Sequence, residues 1–211
     1  MRLQRHTQIA LLLTAIVLAA ALFRPGAAFA YEIPQAAQKY RRDLVRSAHL
    51  VWGIDAPIAT FAGQIHQESG WKPNAQSKYA GGLAQFTPAT AEWIGDIDPE
   101  LVDPQPYNTT WALRALVRYD KFLYGRAGGA TPCDAMWLSL WAYNGGEGWV
   151  RRDKMLAQQH GADPRVARQV EPFNAGRAAS MFAENRHYSR AILLRFEPLY
   201  VKTAWGPGIC A

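Results

Sequence analysis

Glycine and proline divide most of the chain into segments whose apolar residues recur at the spacing of an α-helix. Runs of alternating β-branched residues are nearly absent, which excludes a large β-sheet. Residues 77–85 contain two adjacent glycines and no helical period, which indicates a loop or a small β-hairpin. We therefore predict a mainly α fold in a single domain. The helical patterns cover residues 40–50, 57–69, 88–95, 107–124, 132–143 and 175–201, the last with a break at Pro198.

Start and stop signals mark several of these patterns. Asp55 precedes Pro57, and Thr87 precedes Pro88, which is the arrangement of a capping side chain before a proline in the first helical turn. Gly95 is predicted to end one helix, and Gly125 and then Gly128-Gly129 are predicted to end the next.

The first thirty residues have the pattern of a signal peptide. Arg2 and Arg5 precede an uncharged apolar run at residues 9–23, and Ala28-Phe29-Ala30 has the small-x-small pattern of a cleavage site. We expect cleavage after Ala30 and a periplasmic or secreted domain at residues 31–211. The alternative is an uncleaved anchor in the inner membrane, because Arg24 follows the apolar run directly.

Composition and charge narrow the class of protein further. The 49% hydrophobic and 19% charged residues are typical of a folded domain, and two cysteines are too few for a disulfide scaffold. Removing residues 1–30 removes three arginines and no acid, so the net charge falls from +6 to +3. The remaining basic residues form no stripe, and we expect no nucleic-acid partner.

Within the domain at residues 31–211, we expect residues 31–50 to form a helical lead-in and residues 196–211 to form a C-terminal tail.

Cys133 and Cys210 are the two cysteines of the chain. An oxidising periplasm would allow them to form a disulfide, which would hold the C-terminal tail. The alternative is a pair of free thiols, one in a core helix and one near the terminus.

Glu68 is a candidate general acid. It follows Ile65 by three residues and Phe61 by seven, so it shares their apolar helix face. It also lies in the last helical turn, where the helix dipole disfavours a carboxylate. Both effects raise a carboxyl pKa, as proton donation near neutral pH requires. The alternative is a solvated glutamate at a helix end.

Short motifs around Glu68 resemble a known family. Glu-Ser-Gly-Trp stands at residues 68–71 and Gly-Leu-Ala-Gln at 82–85, followed by Asp-Pro at 103–104, Ala-Tyr-Asn-Gly-Gly at 142–146 and Glu-Asn-Arg-His-Tyr at 184–188. In this order they resemble the catalytic domain of the soluble lytic transglycosylases, over about residues 50–195. The resemblance implies a fold like that of goose-type lysozyme.

The resemblance also implies roles for individual residues. Glu68 would be the catalytic acid and base, and Ser69 would orient its carboxyl group or contact sugar. The residues expected to line the cleft and bind substrate are Gln85, Tyr143, Asn144 and Tyr188, of which Tyr188 would point its hydroxyl at the catalytic carboxyl.

The family reaction cleaves the bond between N-acetylmuramic acid and N-acetylglucosamine in peptidoglycan. Glu68 would protonate the leaving oxygen and then take the proton of the muramoyl 6-hydroxyl, which closes a 1,6-anhydro ring without water. The resemblance implies no cofactor and a monomer that acts on glycan strands, and it allows a secretion or conjugation apparatus as a partner. Scattered histidines and distant cysteines favour no metal site.

Two alternative functions remain open at the level of sequence. A hydrolytic muramidase would need a second acid or a placed water molecule, and the acids after Gln85 are more typical of solvated or capping positions. A non-catalytic glycan-binding component of a secretion or conjugation machine would bind the wall without turnover. The acids considered are Glu92, Asp96, Asp98 and Asp103.

The sequence departs from the family pattern in two places. Ala84 replaces the usual methionine, which removes a flexible apolar contact to sugar, and the loop at residues 77–82 is about one residue shorter than in the family.

Trp71 is the tryptophan that we expect to be the cleft aromatic, whereas Trp137 and Trp141 have the i, i+4 spacing of core residues.

Overall fold

The computed structural model describes residues 32–210 and confirms the mainly α prediction. The leader and cleavage site predicted for residues 1–30 lie outside the described residues. In the described part, no helix has both the length and the apolar character needed to cross a membrane. Helices α1 to α9 span Gln35–Trp52, Ile58–Ser69, Pro88–Ile97, Thr109–Ala127, Pro132–Gly145, Glu147–Gln159, Ala167–Val170, Ala179–Arg190 and Glu197–Lys202, with a 3₁₀ turn at Pro99–Leu101 and a π-helical segment at Ala191–Phe196.

Helix α2 is enclosed by the rest of the domain. Its first eight residues, Ile58 to Ile65, are all buried, including Thr60 and Gln64. The π-helical segment, α9 and α1 pack around it. Gly63 allows the closest approach, since a Cβ there would lie 3.0 Å from that of Phe196. Only the last turn of α2, which carries Glu68, leaves this enclosure.

Hydroxyl and amide side chains begin three of the helices. Thr87 accepts from Thr90 N at the start of α3, Asn108 from Trp111 N at α4, and Thr131 from Asp134 N at α5. The Thr87 prediction is confirmed. The Asp55 prediction is wrong, because α2 begins after Pro57 and no side chain caps it.

Two glycines that were predicted to end helices lie inside them instead, Gly95 in α3 and Gly125 in α4. Helix α3 continues beyond Gly95 to Ile97, and a Cβ on Gly95 would lie 2.9 Å from Val102 Cα. Gly95 therefore permits close packing against the chain after the 3₁₀ turn. Helix α4 passes Gly125 and ends at Gly128, which adopts the left-handed conformation.

The predicted break at Pro198 takes the form of a widened helix. The chain stays helical from Ala179 to Lys202, but Ala191–Phe196 is π-helical. Proline has no N–H to donate and its ring crowds the carbonyl one turn earlier, so a wider turn before Pro198 accommodates it.

The predicted hairpin near the active site is reduced to two isolated antiparallel bridges, Gln76 with Gly81 and Gly81 with Phe86. A Cβ on Gly82 would lie 1.8 Å from Pro106 O, and one on Gly81 would lie 2.4 Å from the Tyr107 hydroxyl. The two glycines therefore let this loop lie directly on the segment before α4.

The C-terminal tail is fixed by a disulfide and by a buried carboxylate. Cys133 and Cys210 form the disulfide, which confirms that prediction. Glu197 is fully buried and accepts from Thr60 Oγ1, Ile209 N and Cys210 N. The tail is therefore part of the fold around α2.

We expect the Cys133→Ser, Cys210→Ser double variant to unfold at a lower temperature than the wild type. Closing a loop across 77 residues contributes about 4 kcal/mol in the chain-entropy account, or roughly 10 °C for a domain of this size. Thermal melts with and without a reducing agent check this. Reductant should lower the wild-type midpoint and leave the variant unchanged, whereas equal wild-type midpoints would contradict a stabilising disulfide.

Candidate active site

Glu68 lies in a cavity of about 400 Å³ at the end of α2. The residue is partly exposed, and the Tyr188 hydroxyl on α8 donates to Glu68 Oε1 at 2.5 Å. Tyr188 is itself buried, so this hydrogen bond fixes one oxygen of the carboxyl and leaves the group facing the cavity.

Burial raises the pKa of Glu68 to about 8. The hydrogen bond from Tyr188 opposes the rise, and the nearby Asp120 adds to it. A carboxyl with this pKa is mostly protonated at neutral pH and is able to donate a proton, as a general acid must.

Tyr143 forms the wall beside Tyr188. The two rings stack with their centroids 6.3 Å apart, and the Tyr143 hydroxyl donates to Ala84 O at 2.8 Å. Burial raises the pKa of both phenols well above the usual value, with Glu68 as a second cause. Both side chains therefore stay neutral donors beside the carboxyl.

Asn144 is held in the cavity by α8. Asn185 Nδ2 donates to Asn144 Oδ1 at 3.0 Å and to Trp141 O at 2.9 Å. The neighbouring Arg186 pairs with the buried Asp153 of α6. The motif at residues 184–188 thus contains both Asn185, which holds Asn144, and Tyr188, which donates to Glu68.

Gln85 lines the cavity in a conformation unusual for its residue type. Its φ is +47°, and its amide nitrogen donates to Ala75 O at 3.1 Å and to Gly82 O at 2.9 Å. The side chain therefore links two parts of the loop, at Ala75 and Gly82, at the edge of the cavity. Left-handed backbone outside glycine is costly and concentrates at functional sites.

Ser69 is the predicted site residue that the structure does not bring to the others. Its hydroxyl donates to Ile65 O at 3.3 Å, within the same helix. In the described part of the chain, it is not among the residues that line the cavity around Glu68.

Trp71 is not a cleft aromatic, and that prediction is wrong. Its side chain is 0% exposed, and its indole N–H donates to the Tyr200 hydroxyl at 2.5 Å. Gly70 and Trp71 both adopt positive φ, which turns the chain back after α2 and directs the indole into the core.

Trp93 is the tryptophan that borders the cleft. It is 36% exposed and packs edge-on against Tyr119 and Phe122. These three rings line a second cavity of about 460 Å³, which shares Thr90 and Tyr119 with the cavity of Glu68. The two cavities therefore adjoin each other at these two residues.

The four acids considered as a second carboxyl lie elsewhere. Asp98 is buried, accepts from Arg118 at 2.9 Å and caps the 3₁₀ turn, while Glu92, Asp96 and Asp103 are exposed. In the part of the chain that the structure describes, none of the four lines the cavity of Glu68.

Sequence reasoning missed two acids near the site. Glu184 lines the cavity, and its position one turn before Tyr188 on α8 was a usable signal. Asp120 is fully buried on α4 and acts electrostatically on Glu68. The sequence indicates this acid by its spacing, because Asp120 follows Leu116 by four residues and so lies on the buried face of the helix.

An enclosed helix that ends in a carboxyl group with a raised pKa, with phenol and amide groups around a cavity, is an arrangement that is able to support acid catalysis. The model of the transglycosylase SLT domain family matches residues 44–166, more than half of the chain, and the chain belongs to this family.

Curated relatives agree with this family. A membrane-bound lytic murein transglycosylase F from Marinobacter nauticus is 30% identical over 138 residues, which are 64% of this chain and 25% of the relative. A protein of the same name from Shewanella loihica is 32% identical over 146 residues, 68% of this chain and 28% of the relative. The chain thus spans about a quarter of the length of these relatives.

Proposed function

We propose that this protein is an exported peptidoglycan lytic transglycosylase. It cleaves the bond between N-acetylmuramic acid and N-acetylglucosamine without water and leaves 1,6-anhydromuramoyl ends. Family membership and the names of the relatives support this reaction. The observation that carries the proposal is the raised pKa of Glu68 in a cleft, with Tyr188 donating to its carboxyl group.

In the first step, protonated Glu68 donates its proton to the glycosidic oxygen, and the bond from that oxygen to the muramoyl C1 breaks. The positive charge that develops at C1 is stabilised by the acetamido group of the same sugar. Glu68 becomes a carboxylate, which the hydrogen bond from Tyr188 stabilises.

In the second step, the Glu68 carboxylate takes the proton of the muramoyl 6-hydroxyl, and that oxygen bonds to C1. The proton lost in the first step is regained, no water is consumed, and Glu68 returns to its starting state. One carboxyl thus acts as acid and then as base, which suits a pKa near neutrality.

Hydrolysis of the same bond is the second candidate reaction. The observation in its favour is Glu184, an exposed carboxyl that lines the same cavity and offers a base for a water molecule. A hydrolytic muramidase would leave reducing ends in place of anhydro ends.

The leader at residues 1–30 supports export to the periplasm or the medium, or retention at the inner membrane if it is not cleaved. In either location, the domain would act as a monomer on glycan strands. A domain of this size could open the wall for a secretion or conjugation apparatus, with or without turnover.

Mass spectrometry of muropeptides released from purified sacculi tests the reaction. We expect residues 31–211 to release products that are lighter by one water than the hydrolytic muropeptides. Glu68→Gln should abolish release, because the amide cannot donate the proton, while Glu92→Gln makes the same substitution at an exposed site and should retain activity. Reducing-end products alone would establish hydrolysis, and sacculus binding without turnover would establish a non-catalytic role.

The pH dependence of kcat/KM tests the role of the protonated carboxyl. We expect activity to fall as the pH rises through about 8, because the free enzyme needs Glu68 protonated for the first step. Initial rates of muropeptide release between pH 5 and pH 9.5 check this, and the midpoint of the fall should lie within about one pH unit of the pKa. A rate that increases steadily across this range would contradict a general-acid role.

Trp93→Ala should weaken substrate binding more than chemistry. The ring borders the cavity next to that of Glu68, and an aromatic face supplies a large contact area to a sugar. We expect KM to rise about tenfold with kcat within about a factor of two. Trp93→Phe should recover part of the loss, and Leu50→Ala, at an exposed position on α1, is the control. An unchanged KM would exclude Trp93 from the substrate path.

A further inference from the structure

A buried acid and a buried amide contact each other one helical turn from Glu68. Gln64 precedes Glu68 by four residues on α2, and Asp120 lies on α4. Both side chains are 0% exposed, and Gln64 Nε2 donates to Asp120 Oδ1 at 3.3 Å. The pair therefore links the helix of the catalytic carboxyl to α4.

The other oxygen of each group has no hydrogen-bond partner among the described residues. Gln64 Oε1 and Asp120 Oδ2 are both buried, and both would be acceptors if Asp120 were ionised. Leaving two buried acceptors unpaired is costly. A proton on Oδ2 would remove the conflict, because it would make this oxygen a donor, and the unpaired Oε1 of the same pair would be its acceptor.

The surroundings of Asp120 also disfavour a negative charge. The ionisable groups that interact with it are Glu68 of α2, Tyr119 of α4, Tyr143 of α5 and Tyr188 of α8, none of which carries a positive charge. Burial raises the pKa of Asp120 to about 8, with the hydrogen bond from Gln64 opposing the rise.

The remaining helices beside α4 contribute neutral aromatic contacts. From α1, the Trp52 indole donates to Val117 O, and from α3, Trp93 packs on Tyr119. Lys121 follows Asp120 in the chain, but its ammonium group lies 4.5 Å from the centre of the Trp52 ring.

We propose that Asp120 is a positioning residue that stays protonated in the folded enzyme and forms a neutral acid–amide pair with Gln64. The pair joins α4 to α2 beside the catalytic carboxyl without placing a second negative charge there. This proposal depends on the proposed role of Glu68, because its functional consequence is electrostatic. Glu68 must ionise during the reaction, and a charged Asp120 would oppose that step.

Complete burial separates this role from that of a second catalytic acid. A side chain that is 0% exposed does not touch the substrate, so Asp120 acts through Gln64 and Glu68. Asp120→Asn distinguishes the two roles, because asparagine reproduces a neutral acid. Its Nδ2 donates to Gln64 Oε1, and its Oδ1 accepts from Gln64 Nε2, which retains both hydrogen bonds.

Infrared difference spectroscopy tests the proton without relying on activity. The spectrum of the wild type minus that of Asp120→Asn, taken at pH 6, should contain the C=O band of a protonated carboxyl. Glu68 is present in both proteins and cancels. A band of an ionised carboxylate at this pH would overturn the proposal, even if muropeptide release proceeds as proposed.

Stability supplies a second readout. Because the pKa of Asp120 is raised from 3.8 to about 8 on folding, wild-type stability should decrease as the pH rises through that interval. Asp120→Asn should make this decrease smaller and leave the part that comes from the raised pKa of Glu68, whereas the exposed Asp96→Asn should leave the whole decrease in place. A variant that fails to fold would contradict the proposal, since the neutral isostere preserves both hydrogen bonds.

The pH profile of activity tests whether Asp120 is uncharged while Glu68 titrates. Asp120→Asn should keep at least about half of the wild-type rate at pH 6 and should leave the alkaline limb of kcat/KM at the wild-type pH, because a protonated Asp120 carries no charge that would raise the pKa of Glu68. A folded variant that loses activity at pH 6 would show that the ionised acid is required. An alkaline limb at lower pH than in the wild type would also contradict the proposal, because it would show that Asp120 is ionised in the wild type and raises the pKa of Glu68.

Discussion

The enclosure of α2 is the constraint on which the site depends. Its first eight residues are buried, so only its last turn meets the cleft, and Glu68 occupies that turn. The C-terminal end of a helix disfavours a carboxylate, and burial disfavours it further. The fold thereby holds one carboxyl protonated at the edge of solvent. The π-helical segment and the tail, fixed by Glu197 and the disulfide, complete the enclosure.

Helix α8 connects that carboxyl to the rest of the cleft. Tyr188 donates to Glu68, and Asn185 donates to Asn144. Arg186 anchors the helix through Asp153, whose buried carboxylate also pairs with Arg177. Buried charges are tolerated when their hydrogen bonds are complete, and removing one partner leaves an expensive unpaired charge. The position of the tyrosine hydroxyl at Glu68 therefore depends on an ion-pair network on the far side of the same helix.

Residue spacing and turn chemistry predicted those features of the fold that depend on neighbouring residues in the sequence. The helical fold, the apolar face of Glu68 and the capping threonine at position 87 follow from spacing and turn chemistry. Trp71 could not be placed, because the positive φ of two successive residues decides which way its ring points. Gln64 and Asp120 were missed because a polar residue on an apolar helix face has meaning only beside its partner, which is 56 residues away in sequence. Ser69 was assigned by motif, yet its hydroxyl is used within its own helix.

The two carboxyl groups with raised pKa values, Glu68 and Asp120, differ in their exposure and in their hydrogen-bond donors. Each has a pKa of about 8 that arises first from burial. Glu68 is partly exposed, and a phenol at 2.5 Å stabilises its carboxylate, so its proton has both a route to substrate and a stabilised product. Asp120 is sealed, and its amide donor at 3.3 Å makes a longer contact. Since two neighbouring acids do not ionise independently, the one with the better donor and the open face loses its proton first. The geometry thus assigns the mobile proton to Glu68 and the fixed proton to Asp120.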